Sequence, residues 1–188
     1  LAAANQRVLL IDLDPQGNAT MGSGIDKRDL QSSIYEVLLG NKTIAEVRIH
    51  SEAGKYDLLP ANRDLAGAEI ELVDLDRRET RLRDALVLVD SEYDYVLIDC
   101  PPALNLLTLN GLCAAKSVMI PMQCEYYALE GLSDLVNTLK KVRASLNPGI
   151  DILGLLRTMY DPRSTLAQQV AAQLSEHFRD KVFDTAIP

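Results

Sequence analysis

Two aspartates, Asp12 and Asp14, end an apolar run and enter an abrupt turn. Because alternate side chains of an extended chain point the same way, both carboxylates project from one side of it. Pro15 and Gly17 then form a turn that is dense in hydrogen-bonding groups. The pair is a candidate site at a strand end. A turn whose Asp and Asn side chains only cap nearby backbone groups is an equal alternative.

A third carboxylate, Asp99, ends the apolar run 95–98. An apolar strand that ends in Asp is the Walker B arrangement, in which the carboxylate holds Mg²⁺ through its water shell. Four apolar residues and an acid are common by chance, but Pro101 and Pro102 follow. They exclude a helix directly after the strand and stiffen the loop. The pattern therefore predicts a magnesium-holding carboxylate beside a rigid loop.

Apolar runs and helical periodicity alternate along the chain. Five runs are typical of strands buried on both faces: 7–12, 56–60, 95–99, 117–121 and 152–156. Four stretches have helical spacing or helix boundaries: 33–39, 64–75, 132–146 and 166–178. This alternation predicts an α/β fold with a doubly wound, mostly parallel sheet flanked by helices. In such sheets ligands bind beyond the carboxyl ends of the strands, where Asp12 and Asp99 are expected.

Length and composition limit the class of protein. The 188 residues carry a net charge of −8, and they predict a single globular domain over residues 1–188. We find no apolar run of the roughly 18–20 residues that a membrane span requires and no signal-peptide pattern, so we expect a cytoplasmic protein without a membrane partner. Cys100, Cys113 and Cys124 have no metal-site or disulfide spacing and are expected to be reduced and in or near the core.

In combination, these segments resemble the ParA/Soj partitioning ATPases, which carry a deviant Walker phosphate loop. The resemblance rests on the residues of 8–18, 94–102 and 121–132, together with 59–69 and 158–163, in the expected order. It implies a fold of the P-loop NTPase kind. No segment fits the family's Gly-rich phosphate loop, and residues 1–5 match the end of the helix that follows it. We therefore expect a chain truncated at both ends, with basic residues and part of the adenine pocket beyond Pro188.

The resemblance also implies roles for single residues. Asp14 matches the catalytic aspartate that positions the attacking water, and Asp12 matches the acid beside it, near the magnesium shell. Asp99 matches the Walker B magnesium residue. Further nucleotide-binding positions are Gln16 and Asn18 in a first switch-like loop, Pro101 in a second that senses the γ-phosphate, Met159 beside the base, and Pro188.

Two segments leave alternatives open. The family often has Ser and Gly where this chain has Ala103 and Asn105, which weakens side-chain roles in the second loop. Residues 123–130 resemble a part that approaches the partner subunit. A strand-to-helix loop in which Glu125 or Glu130 caps the helix is nearly as good an interpretation. Tyr160 is either a residue that lines the base or a simple packing residue.

The function implied is an ATP-dependent homodimerisation switch with ATP and Mg²⁺ as cofactors. Its dimer would bind DNA nonspecifically, associate with the nucleoid and respond to a ParB-like partner. The acidic net charge fits DNA binding poorly, so the basic surface is expected in the C-terminal part. A MinD-like membrane ATPase would need a basic amphipathic helix, which these residues do not show. A non-catalytic scaffold would not need Asp12, Asp14 and Asp99 together.

Overall fold

The computed structural model describes residues 1–126 and 128–188, and these form two compact units, Leu1–Ala115 and Lys116–Pro188. Each unit contains its own sheet, with four strands in the first and three in the second. Both sheets are mostly parallel and are flanked by helices. The α/β class is therefore confirmed, whereas a single domain over residues 1–188 remains a prediction.

The first unit is built on a four-stranded sheet. Its strands are β1 (Val8–Asp12), β2 (Ile49–Ser51), β3 (Tyr56–Leu59) and β4 (Tyr95–Asp99). They lie in the order β2-β3-β1-β4; β1 runs parallel to β3 and β4, and β2 runs antiparallel to β3. The register places Asp12 directly opposite Asp99. The carboxyl ends of the two adjacent acid-bearing strands, β1 and β4, therefore meet at one end of the sheet.

Helices of the first unit cover the core face of this sheet. They are α1 (Asn18–Gly22), α2 (Ile34–Leu39), α3 (Ile44–Val47), α4 (Leu65–Glu71), α5 (Arg81–Leu86) and α6 (Leu106–Ala114), with short 3-10 turns at Ala2–Ala4, Leu72–Asp74 and Asp90–Glu92. Leu9 and Ile11 of β1 pack in one buried cluster with Leu38, Leu65 and Leu107 of α2, α4 and α6. Burial of these apolar side chains is the main stabilising term and fixes which face of β1 points inward.

The second unit has three parallel strands in the order β5-β6-β7. They are β5 (Ser117–Gln123), β6 (Asp151–Thr158) and β7 (Val182–Ala186), accompanied by α7 (Ala128–Ser145), α8 (Thr165–Phe178) and a 3-10 turn at Arg179–Lys181. Ile120 and Leu155 of the strands share a cluster with Leu132 of α7 and with Val170 and Leu174 of α8. The periodic stripes of α7 and α8 are therefore their buried faces.

All five predicted strands and all four predicted helices are present. Six helices and strands of the described residues were not predicted from the sequence: α1, α3, α5 and α6, and the edge strands β2 and β7. Most of these are too short to show a period, whereas α6 is apolar on nearly every side and so has no amphipathic stripe. Cys113 and Cys124 are buried and Cys100 partly so, which confirms their expected place in or near the core. Within the described ranges, no helix combines the length and apolarity needed to cross a membrane.

Candidate functional site

Three carboxylates meet at the carboxyl ends of β1 and β4. Asp12 pairs with Asp99 across the two strands, and the backbone N–H of Leu13 continues the ladder to the Asp99 carbonyl at 2.8 Å. Asp14 follows two residues beyond Asp12. Burial, and then the negative charges of Asp12 and Asp14, raise the pKa of Asp99. Carboxylates under this mutual repulsion favour a bound cation, which would relieve it.

Asp12 organises the loop that follows β1. Its side chain is fully buried. One carboxylate oxygen accepts hydrogen bonds from the backbone N–H and the hydroxyl of Thr20, both at 2.7 Å. The other oxygen accepts the backbone N–H of Asp14 at 3.2 Å. Because both oxygens already have protein donors, Asp12 is suited to a place beside a metal's water shell rather than to direct ligation.

Thr20 extends this network to the loop after β3. Its hydroxyl oxygen accepts the backbone N–H of Ala61 at 2.9 Å while the hydroxyl donates to Asp12. Gly17, at φ 62°, lies so close that a Cβ there would stand 2.8 Å from the Ala61 carbonyl oxygen. The turn therefore requires glycine for its backbone angle and for this close approach. The role of Thr20 was not predicted from the sequence.

Asp14 serves the turn with one oxygen. Its Oδ1 accepts the backbone N–H of Gln16 at 2.9 Å, and its carbonyl accepts the backbone N–H of Gly17 at 2.8 Å. The turn-capping alternative is therefore correct as far as Oδ1 goes. Among the described residues no donor reaches Oδ2, so that oxygen is available to a ligand or water. The catalytic role of Asp14 remains a prediction.

The first switch-like loop carries two predicted nucleotide-binding residues. Gln16 is exposed and its carbonyl oxygen accepts a hydrogen bond from the Lys27 ammonium group. Asn18 is exposed and begins α1. Both side chains are thus open to solvent on a loop whose backbone is held by Asp14 and Lys27.

The second loop, residues 101–105, follows Asp99. Pro101 is buried, and the Thr108 hydroxyl donates to the Ala103 carbonyl at 2.6 Å. Asn105 caps α6 by accepting the Thr108 backbone N–H at 3.0 Å, and its amide group donates to Glu69. Asn105, a departure from the family's usual residue, therefore has a structural role that its sequence position did not reveal.

Two predicted nucleotide-binding residues, Met159 and Pro188, lie in the second unit. Met159 has a left-handed backbone at φ 48° and is 71% exposed, and the Gln123 amide group lies 3.1 Å from its sulfur. The Tyr160 backbone N–H donates to the Ile187 carbonyl at 2.9 Å, which brings Pro188 close to this segment. Met159 and Pro188 are thus the chain neighbours of a hydrogen-bonded pair, while their contact with a nucleotide remains a prediction.

Packing around Tyr160 fits the simpler of its two interpretations. Its ring packs against the core of the second unit and lies 5.3 Å from the Arg157 guanidinium carbon. Within residues 123–130, Tyr126 is 75% exposed, and Tyr127 lies outside the described residues. Glu130 falls in the first turn of α7.

The donor set fits a magnesium ion shared with a nucleotide. No group of three or more His, Cys, Asp or Glu side chains in the described part of the chain is arranged to hold a metal ion alone. Mg²⁺ commonly keeps several waters and binds through one or two carboxylates plus substrate phosphates. Asp99 would supply such a carboxylate, with the charges of Asp12 and Asp14 near it, and its metal-binding role remains a prediction.

The cysteines give a prediction that is independent of nucleotide. Burial, followed by the Asp99 charge, raises the pKa of Cys100 to about 12. Burial is also the main cause of the raised pKa values of Cys113 and Cys124. At pH 8 a thiol of that pKa is thiolate in only about one molecule in 10,000, and the thiolate is the reactive form. We expect Ellman's reagent at pH 8 to label the folded protein slowly and the guanidinium-unfolded protein promptly at all three positions. Prompt labelling of the folded protein would contradict this burial.

Comparison with known proteins adds the family. The family model described as an AAA domain matches residues 1–152. An uncharacterised Pseudomonas putida protein is 59% identical to this chain over the chain's whole length. The aligned region is 72% of the length of that protein. The chromosome partitioning protein ParA of Caulobacter vibrioides is 49% identical, and the sporulation initiation inhibitor protein Soj of Bacillus subtilis is 50% identical. Each aligns with the whole chain, which covers 71% and 74% of them respectively.

Solved structures agree with this assignment of the fold. A cobyrinic acid a,c-diamide synthase from Mycobacterium smegmatis, with a bound ATP analog and magnesium, superposes with a TM-score of 0.89 at 42% identity, over 95% of this chain and 72% of its own. A plasmid partition protein from Borrelia burgdorferi superposes with a TM-score of 0.80 at 28% identity, over 96% and 76%. Both likenesses extend over nearly all of the present chain.

Proposed function

Since the chain belongs to the ParA/Soj family of partitioning ATPases, we propose that it acts as an ATP-dependent dimerisation switch in chromosome or plasmid partitioning. The observation that carries this proposal is the position of Asp12, Asp14 and Asp99 at the carboxyl ends of two adjacent parallel strands. Ligands of open α/β sheets bind at this end. The relatives named as partitioning proteins supply the biological process.

Each carboxylate has a distinct task in the proposed site. Asp99 holds Mg²⁺ through water, and the bound ion supplies charge neutralisation at the phosphates. Asp14 orients the attacking water with the oxygen that does not cap the turn, and it can accept the water's proton at that oxygen. Asp12, whose oxygens are occupied by Thr20 and Asp14, keeps the loop in the required conformation.

The switch further requires partners. We propose that ATP brings two copies together, that the dimer binds DNA nonspecifically on the nucleoid, and that a ParB-like protein stimulates hydrolysis and resets it. Gln16 and Asn18 would respond to the nucleotide from the first loop, and Pro101 from the second. Met159 would line the base, and Pro188 would be a further residue at the nucleotide. With a net charge of −8, DNA contact must use a local basic patch rather than the whole surface.

Three measurements on the complete gene product test the switch together. With ATP and Mg²⁺ we expect phosphate release, a dimer by size-exclusion chromatography, and salt-sensitive binding to DNA of unrelated sequences. ADP should support neither the dimer nor DNA binding. Absence of phosphate release under all conditions would contradict the ATPase, and ATP consumption only with an added amine donor and a corrinoid would favour a synthase instead.

We expect Asp99→Ala to weaken binding of Mg-nucleotide. The substitution removes the carboxylate that holds the ion's waters. Removal of such a supporting group typically lowers metal affinity by about 10–100-fold. Fewer dimers should then form with ATP. The measurement is titration with a fluorescent ATP analogue, with Mg²⁺ and with EDTA.

Asp94→Ala is the matched control for this variant. Asp94 directly precedes β4, the strand that ends in Asp99, and its carboxylate pairs with the Arg7 guanidinium group at 2.8 Å. Its removal should leave nucleotide affinity unchanged. Equal magnesium dependence in the parent and in Asp99→Ala would remove Asp99 from the metal site.

A polypeptide of only these 188 residues should bind Mg-ATP weakly or not at all. None of its segments fits the Gly-rich phosphate loop, whose backbone amides and lysine supply most contacts to a triphosphate. Calorimetric titration of this polypeptide beside the complete gene product is the measurement. Low-micromolar affinity in the shorter polypeptide would show that the residues described here suffice for binding.

A further inference from the structure

Glu69 lies in segment 59–69, which resembles the ParA/Soj family but contains no residue used in the proposed function. It lies on α4, is only partly exposed, and accepts a hydrogen bond from the side-chain amide of Asn105. A helix-surface glutamate is usually solvated and replaceable. Here the carboxylate instead contacts the last residue of the loop that follows Asp99.

Asn105 is held at both ends of its side chain. Its oxygen accepts the Thr108 backbone N–H at 3.0 Å and so caps α6, while its nitrogen donates to Glu69. The Thr108 hydroxyl donates to the Ala103 carbonyl at 2.6 Å within the same loop. A carboxylate is a stronger hydrogen-bond acceptor than a neutral carbonyl or amide oxygen. The bond from Asn105 to the Glu69 carboxylate is therefore stronger than the bonds that this loop makes with Thr108.

The helix that carries Glu69 is itself tied to the other loops of the site. Leu65 and Ala68 anchor α4 in the core with no exposed surface. The loop that precedes α4 contains Ala61, whose backbone N–H donates to Thr20, and Thr20 in turn donates to Asp12. Hydrogen bonds thus join the loop after β1 to the loop after β3, and a separate hydrogen bond from Asn105 to Glu69 joins the loop after β4 to α4, the helix that follows the β3 loop.

We propose that Glu69 is a positioning residue that holds residues 101–105, through Asn105, in the arrangement required for ATP hydrolysis. This inference rests on the proposed function. Glu69 does not touch the reacting atoms. Its effect is to fix the loop beside Asp99, so that its loss reduces turnover more than it reduces nucleotide binding.

The test compares Glu69→Ala, Glu69→Gln and Glu71→Ala in the complete gene product. Glu71 is the matched control because it lies on the same helix, is exposed, and bonds to Tyr35 at 2.7 Å rather than to the loop. For Glu69→Ala we expect kcat to fall about tenfold and KM to change less than about twofold, in line with the loss of one charge-assisted hydrogen bond. Glu69→Gln keeps an acceptor oxygen and should restore most of kcat, and Glu71→Ala should match the parent.

Hydrogen exchange of residues 101–108 provides a second readout that does not require hydrolysis. Exchange there should be faster in Glu69→Ala than in the parent and unchanged in Glu71→Ala, with or without nucleotide. If the parent protein hydrolyses no ATP, the proposed ATPase fails while the exchange data still decide the role of Glu69. If Glu69→Ala cannot be purified, Glu69→Asp withdraws the carboxylate by one methylene and is compared in the same way. Parent-like exchange and kcat in Glu69→Ala, or in the Glu69→Asp variant that replaces it, would overturn the inference.

Discussion

Asp14→Ala should slow ATP hydrolysis by orders of magnitude in the complete gene product. Positioning and electrostatics provide nearly all of phosphoryl-transfer catalysis, so loss of the residue that orients the water affects the chemical step directly. ATP affinity should change little, because the magnesium contact at Asp99 remains. The subunits should accumulate as an ATP-bound dimer that stays on DNA. Phosphate release and size-exclusion chromatography with ATP measure the two effects.

Asp14→Asn separates catalysis from turn capping. The asparagine oxygen can still accept the Gln16 backbone N–H, which Asp14 does at 2.9 Å, but it lacks the charge and cannot take a proton. A slow Asn variant with a parent-like melting temperature would assign the loss to the chemistry. Hydrolysis at the parent rate in both variants, or a monomer with ATP and Mg²⁺, would leave Asp14 as a turn-capping residue only.

The sequence was most informative about the buried parallel strands, because the position of their carboxyl ends follows directly from their being parallel. Continuous apolar runs ending in Asp12 and Asp99 predict buried parallel strands, and parallel strands place their carboxyl ends together. The structure has these strands adjacent and parallel, with Asp12 opposite Asp99. The resemblance then named the family, which the relatives support.

Contacts between distant segments were beyond the reach of sequence patterns. Thr20 and Ala61 are separated by 41 positions and Glu69 and Asn105 by 36, yet each pair shares a hydrogen bond. No local period marks such residues, because their partners are chosen by the tertiary fold. Ala61 and Glu69 lie in the family-like segment 59–69 and Asn105 lies at the end of the second loop, but nothing in the sequence indicated their partners.

Thr20→Val should destabilise the protein by about 2–4 kcal/mol. Valine has nearly the same shape, so the core stays filled, but the hydroxyl that bonds to both Asp12 and Ala61 is lost. The buried Asp12 carboxylate loses a donor that stands at 2.7 Å, and the backbone N–H of Ala61 loses its acceptor at 2.9 Å. Buried polar groups that lose their partners keep their full desolvation cost, and a charged one costs more.

Urea unfolding of the parent, Thr20→Val, Thr20→Ser and Thr165→Val decides this prediction. Thr20→Ser keeps the hydroxyl and should recover most of the loss, whereas Thr165 is exposed in the first turn of α8, so the same Thr-to-Val change there should stay within about 0.5 kcal/mol. The loss in Thr20→Val should appear without nucleotide, because the network lies within the protein. If Thr20→Val unfolds at the parent's urea concentration, the hydrogen bonds of the Thr20 hydroxyl to Asp12 and Ala61 contribute no net stability to the loops after β1 and β3.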